Sequence, residues 1–319
     1  MKKPVLYKRT GLFYNEENKN DMENQPDTGE KREKDMSNVI LSADSTCDLT
    51  PELRERYQVS CYPYHIILDG QDYLDNVTIT SGEIFQAYYD KKILPQTSAI
   101  NHFEYANYFR KWVDAGKEVV HLNLGGALSA SYKNCCTAAQ ELGHIYPIDS
   151  YSLSTGTGLL VIKAAEMAAE GMGAAEIQQR IEAMRGKVHA SFILDTLKFM
   201  HAGGRCSGVT AFSANMLNIK PCIVVDNKSG GMDVGKKYRG KLPKVLLRYV
   251  EDTLQNAGDL DLSRIFITYS SLDDPGYVDL VREAILAIAP FREVHVTTAS
   301  STIACHCGPN TLGILFMTK

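Results

Sequence analysis

Beyond an initial polar stretch, apolar residues form two alternating patterns: short continuous runs rich in β-branched side chains, and longer segments that repeat at helical spacing. The runs predict buried strands and the segments predict amphipathic helices. The first strand is expected over 38–43, ending at Asp44-Ser45-Thr46. Thr50-Pro51 then supplies an N-cap and a first-turn proline for a helix through Arg56. The run 61–68 predicts one second strand, closed by the turn Asp69-Gly70. Thr80 with Glu83, and Asn101 with Glu104, have capping-box spacing before helices expected over 84–91 and 103–115. Strands over 118–124 and 144–149 alternate with helices over 129–142, 158–170 and 175–185. This βαβα order predicts a parallel sheet covered on both faces.

The order then changes. Strands are expected over 190–194, 221–226, 264–269, 293–298 and 312–317, with short helices over 196–201 and 209–217 and longer ones over 243–255 and 275–289. Fewer helices between strands predict a mixed sheet with helices on one side. The fold class is therefore α/β in two domains, 38–186 and 187–319, the first with a parallel sheet and the second with a mixed one. Residues 1–37 are read as a disordered or adaptable extension, because NEENKNDMENQPDTGEKREKDM has almost no large apolar side chain to offset ordering entropy. Val5, Leu6, Leu12, Phe13 and Tyr14 are the residues that would dock if any of it does.

Composition narrows the function. With 319 residues, 44% hydrophobic, 23% charged and a net charge of −4, nothing basic points to nucleic acid. No apolar run is long enough for a spanning helix, and the opening MKKPVLYKRTGLFYNEEN is too weakly apolar for a secretory signal. A cytoplasmic location and reduced thiols are expected for Cys47, Cys61, Cys135, Cys136, Cys206, Cys222, Cys305 and Cys307, which include no CxxC pair. Cys305-His306-Cys307, read as strand, would put both sulfurs on one face and the imidazole on the other, a poor metal geometry. No GxxxxGK[ST] or strand-following GxGxxG loop occurs, so no nucleotide site and no cofactor are expected.

Hydroxyls collect where strands are expected to end. Gln96-Thr97-Ser98 and Leu128-Ser129-Ala130-Ser131-Tyr132 both fall there, as do Asp44-Ser45 and Asp149-Ser150. Each alone reads equally as a helix cap. Together their hydroxyls form a set of neutral donors with no lysine or arginine among them, suited to an anionic head group held by hydrogen bonds.

These residues resemble the DegV family of bacterial fatty-acid-binding proteins over 38–319. The resemblance also rests on Tyr73-Leu74-Asp75, on Ser154, Gly156 and Gly158 after Asp149-Ser150, on Leu197 through Gly203-Gly204-Arg205, and on His306-Cys307-Gly308-Pro309. It implies that Thr97, Ser98 and Ser129, with His306 nearby, hold the carboxylate of a long-chain fatty acid, supported by Asp44, Ser45, Asp149, Ser150 and Arg205. Ala99-Ile100 and Ala130-Ser131 depart from the family pattern of Gln-Pro and Gly-Thr. Arg205 reads also as a structural arginine and His306 as a core histidine. The resemblance further implies an ATP-dependent fatty acid kinase subunit as partner, docking on the basic segment 236–241 at Arg239, and an acyl phosphate as product for phospholipid synthesis. Candidate walls for the acyl chain are Ile193, Leu194, Phe199, Met200, Phe212, Met216 and Leu217. The alternative is a serine-dependent esterase or acyltransferase using Ser129 or Ser98 with His306 and Asp149 or Asp44, although no GxSxG elbow is present.

Overall fold

Thr50 accepts the Leu53 amide at 3.3 Å and opens α1 (Pro51–Arg56), just after β1 (Val39–Asp44) and a 3-10 turn at Ser45–Cys47. The computed structural model describes residues 38–211 and 219–319. The extension 1–37 and the wall candidates Phe212, Met216 and Leu217 lie outside the described residues, as does most of the helix expected over 209–217. What is described there is a 3-10 turn, Ser207–Ala211.

The apolar run 61–68 is two strands rather than the one expected. β2 (Val59–Tyr62) pairs with β1, whereas β3 (His65–Leu68) belongs to a different sheet. Pro63 separates them, because it has no N–H to continue a ladder. β4 (Gln71–Leu74), α2 (Ser81–Lys91), β5 (Gln96–Ser98) and α3 (His102–Val113) follow, and both expected capping boxes form. β6 (Glu118–Asn123), α4 (Ser131–Leu142), β7 (Ile145–Asp149), α5 (Ser154–Ala169) and α6 (Ala174–Met184) complete this half. The order β2-β1-β6-β7 is parallel throughout, with α3 and α4 against one face and α5 and α6 against the other. A small antiparallel sheet, β4-β3-β5, stands apart from it.

The rest of the chain runs β8 (Val188–Ile193), α7 (Lys198–Gly203), β9 (Ile219–Val225), β10 (Met232–Arg239), α8 (Leu242–Gln255), β11 (Leu260–Tyr269), α9 (Gly276–Ile288), β12 (Glu293–Thr298), α10 (Ser301–Cys307) and β13 (Leu312–Thr318). It forms a mixed six-stranded sheet, β10-β9-β8-β13-β11-β12, parallel only between β11 and β12. Helices cover both faces of this sheet, where the sequence pattern predicts one. Ile265, Ile267, Ile314 and Phe316 face a core shared with α8 and α9, while Phe266, Leu315 and Phe192 face α5. Period-two alternation along β11 and β13 thus buries both faces.

α5 explains how the sheets are joined. Leu159, Leu160, Val161, Ile162, Ala164 and Ala165 are all buried, and only Lys163 in this stretch reaches toward water. It packs on β1 and β6 of the parallel sheet and on β8, β11 and β13 of the mixed one, with Thr155 Oγ1 2.7 Å from Thr268 Oγ1. The expected boundary at 186/187 falls in the turn Arg185–Lys187 between α6 and β8.

Two further elements differ from expectation. The basic run 236–241 mostly belongs to strand β10, at a sheet edge where charged side chains face solvent and hide the apolar pattern. Cys305-His306-Cys307 is helical, in α10, whose N-cap Ser300 accepts the Ile303 amide at 3.4 Å. At about 100° per residue the two sulfurs diverge: Cys305 packs with Ile66 and Phe85 near the small sheet, and Cys307 turns toward the α5 core.

Candidate functional site

α10 reaches a cleft lined by Tyr64, Thr97, Ser129, Arg205, Thr302 and His306, with Leu128, Leu153, Met200 and Ile303 among the apolar walls. The cleft encloses about 710 Å³ of empty space, part of it open to solvent. A second, smaller cavity with about 320 Å³ of empty space, part of it open to solvent, lies beyond it between α5, α10, β8, β11 and β13, and shares Leu153, Ile303 and Cys307 with the first. Hydroxyls on the wall of the second cavity are engaged by the protein. Ser154 donates to Asp48, Ser270 to the Gly308 carbonyl and Thr311 to the Cys307 carbonyl, and Thr268 is bonded to Thr155 and Thr297. An apolar lobe therefore continues from a polar mouth.

The mouth is built from pairs of hydroxyl and ring. β5 alternates so that Thr97 points inward and Ser98 outward, exposed and absent from the cleft wall. Thr97 Oγ1 lies 2.9 Å from His306 Nε2. On the other wall the Tyr64 hydroxyl donates to Ser129 Oγ at 3.2 Å, and Ser129 donates to Ser131 Oγ at 3.1 Å. Ser131 is itself buried and accepts the Ile100 amide, so the departures at Ala99-Ile100 and Ala130-Ser131 meet in one contact between the two loops.

Burial, and secondarily the Arg205 cation, push His306 down to about 4, so its ring is neutral at physiological pH. Its Nδ1 and the Thr302 hydroxyl are buried without a partner among the described residues. In the tautomer with its proton on Nε2, His306 donates to Thr97 and leaves the Thr97 hydroxyl proton free for the cleft. Gly203 makes room for this ring, since a Cβ there would overlap His306 Nδ1. That contact accounts for the first glycine of Gly203-Gly204-Arg205. Arg205 is exposed at the rim and donates to the Gly203 carbonyl at 2.7 Å and to the Leu128 carbonyl at 3.5 Å.

The other sequence candidates lie behind the wall. Asp44 is buried and accepts from the Tyr105 hydroxyl (2.6 Å) and the Leu124 amide (2.8 Å), with His121 Nε2 at 3.0 Å. Asp149 accepts the Gly126 and Tyr151 amides, and a Cβ at Gly126 would stand 2.6 Å from it. Ser150 Oγ bonds the Ser152 carbonyl and Thr157. These groups fix the loops after β1, β6 and β7. Ser45 donates to Asp75 at 2.6 Å and accepts the Tyr64 amide at 3.2 Å, which seats Tyr64 at the mouth.

Neither Asp44 nor Asp149 is bonded to His306, and Ser129 is bonded to Tyr64 and Ser131, so the triad of the alternative esterase reading is not assembled. Of the wall candidates, Met200 lines the cleft, while Ile193 and Phe199 are held in other cores. Leu194 is buried in the central core, not on the cleft wall. Tyr64, Leu153, Thr302 and Ile303 were missed. Tyr64 sits inside an apolar run, and the i, i+4 pair Thr302/His306 becomes visible only once 301–307 is known to be a helix. Arg239 is exposed at the far end of β10 from Met232, which lines the cleft; a rise of about 3.3 Å per residue separates them by roughly 20 Å.

The DegV family, whose description is that of an uncharacterised protein, matches this chain across residues 39–319. The chain belongs to the DegV family. A DegV domain-containing protein of Deinococcus radiodurans is 28% identical over 279 residues, 86% of this chain and 97% of that one. The structure of a DegV family protein from Thermus thermophilus, reported for its fatty acid binding, superposes with a TM-score of 0.80 at 29% identity, covering 88% of this chain and 99% of that one. DegV of Bacillus subtilis, a fatty acid binding protein, shares the fold at a TM-score of 0.76 and 22% identity, covering 89% and 100% of the two chains. Among the described residues no helix is long and apolar enough to cross a membrane, and no cluster of His, Cys, Asp and Glu suits a metal ion.

Proposed function

We propose that this DegV protein binds a long-chain fatty acid, with the carboxylate between Thr97 and Ser129 and the tail directed past Leu153 and Ile303 into the apolar lobe. The observation that carries this reading is the pairing of two ring-backed hydroxyls at the mouth with a second cavity whose serine and threonine hydroxyls are engaged by the protein. Ser129, whose proton goes to Ser131 Oγ in this structure, turns it to the carboxylate on binding; two neutral donors suit a carboxylate that must later react, because hydrogen bonds hold it without the full charge neutralisation of an ion pair. His306, neutral in its buried setting, positions the Thr97 proton rather than competing as a cation. The protein acts as a carrier in this reading. It presents the carboxylate at the rim near Arg205 to an ATP-dependent fatty acid kinase subunit, which converts it to an acyl phosphate for phospholipid synthesis, and Arg239 on the β10 edge is the docking residue.

Titration of delipidated protein with hexadecanoic acid in a calorimeter tests the binding reading. Saturable one-to-one binding is expected; no binding alongside turnover of a nitrophenyl ester would replace it with the esterase.

A further inference from the structure

Cys47 ends the 3-10 turn after β1 and Cys61 lies on β2, and their Sγ atoms are 3.7 Å apart. A disulfide needs about 2.0 Å, so closure asks the two sulfurs, 3.7 Å apart, to approach further. Cys47 is buried whereas Cys61 is only half-buried. The thiols are also electrically unlike. The Cys47 thiol, hydrogen-bonded to Cys61, and then the Arg54 cation hold Cys61 below the usual thiol range despite its burial. Cys47 is pushed well up by the same bond, and the other six thiols are also raised, by burial first. Arg54 on α1 keeps its Nε buried without a partner among the described residues.

We propose that Cys47 and Cys61 form a redox-active dithiol, a modification site for low-molecular-weight disulfides in which Cys61 attacks first and Cys47 resolves. The Cys61 thiolate attacks one sulfur of a disulfide RSSR; that S–S bond breaks, and RS⁻ leaves and takes up a proton. Cys47 then loses its proton to water and attacks Cys61 Sγ, breaking the mixed disulfide and releasing the second RSH. Two protein thiols are oxidised by two electrons and one RSSR is reduced to two RSH. A thiolate stabilised by a cation, beside a buried resolving thiol, is the arrangement this exchange requires. The cross-link ties the turn carrying Ser45 and Asp48 to the strand leading into Tyr64, behind the cleft wall.

The test is peptide mapping of the full reduced chain after exposure to oxidised glutathione, with alkylation under denaturing conditions. The expected product is a Cys47–Cys61 cross-linked peptide, two hydrogens lighter than the pair of thiol peptides, formed before the other six cysteines react. In Cys47→Ser the glutathione adduct should accumulate on Cys61, and Arg54→Gln should slow adduct formation several-fold at neutral pH. Oxidation of another cysteine before this pair, or an adduct that stays on Cys61 of the wild-type chain without closing, would overturn the proposal.

Discussion

Thr97 and Ser129 each offer one hydroxyl to the cleft, and each is oriented by a ring group behind it, His306 or Tyr64. Removing either hydroxyl leaves a desolvated carboxylate short of a donor, so Thr97→Ala or Ser129→Ala should weaken fatty acid binding by about 1–3 kcal/mol. Calorimetry reads this directly, and unchanged affinity in both variants would remove the head-group assignment. A second residue-level expectation concerns Asp48, which accepts the Ser300 amide at 2.9 Å and the Ser154 hydroxyl at 2.5 Å, and which burial pushes up to about 7. The folded state keeps a proton that the unfolded chain releases, so the stability from this group is full below about 3.8 and is lost as pH rises to about 7. His306 works the other way: its folded value is depressed from 6.5 to about 4, and stability falls as pH drops through that window. Asp48→Asn mimics the protonated acid and isolates the first effect. Its melting temperature should gain on that of wild type as pH rises from about 4 to about 7, and parallel curves would show that Asp48 does not titrate there.

At the scale of elements, α10 places Thr302, Ile303, His306 and Cys307 on the cleft, and Ile303 and Cys307 on the neck to the apolar lobe. Each methylene buried beyond the neck contributes about 0.8 kcal/mol. Ile303→Phe should therefore weaken hexadecanoic acid far more than octanoic acid, whose shorter tail ends nearer the mouth. Equal losses for both acids in a displacement assay would mean the tail takes another path. α10 is also where the sequence was hardest to read. Ser301-Thr302-Ile303-Ala304-Cys305-His306-Cys307 mixes β-branched and small side chains in a helix too short for a periodic stripe, and only tertiary packing makes it helical. The parallel half was legible because its helices carry caps such as Thr80/Glu83 and Asn101/Glu104, written locally. Thr97, Ser129 and His306 were legible as motif residues, but period-two alternation, which turns Ser98 away, and the hidden break at Pro63, which frees Tyr64 to line the mouth, depend on strand pairing. β10 was missed because an edge strand with charged side chains looks like any solvated run.

For the whole molecule, α5 joins the two sheets and the cleft opens where the small sheet, α10 and the loops of the parallel sheet meet. Leu159, Leu160, Val161 and Ile162 on α5 each gain about 1.5–3 kcal/mol on full burial, which makes this helix the common support of the site. Arg239 is on the opposite end of β10 from the cleft, so its role can be separated from binding. Arg239→Ala should keep the bound lipid yet partly lower acyl phosphate formation with a cognate kinase subunit and ATP, and added salt should mimic part of the loss. Equal turnover in variant and wild type would remove Arg239 from the docking face. The central claim, that the two-lobed cavity holds a fatty acid, is tested most directly by mass spectrometry of an organic extract of the purified protein. The account predicts a long-chain fatty acid at near-stoichiometric amount, lost from the Thr97→Ala/Ser129→Ala double variant; an extract free of acyl acids from protein purified without detergent would contradict it.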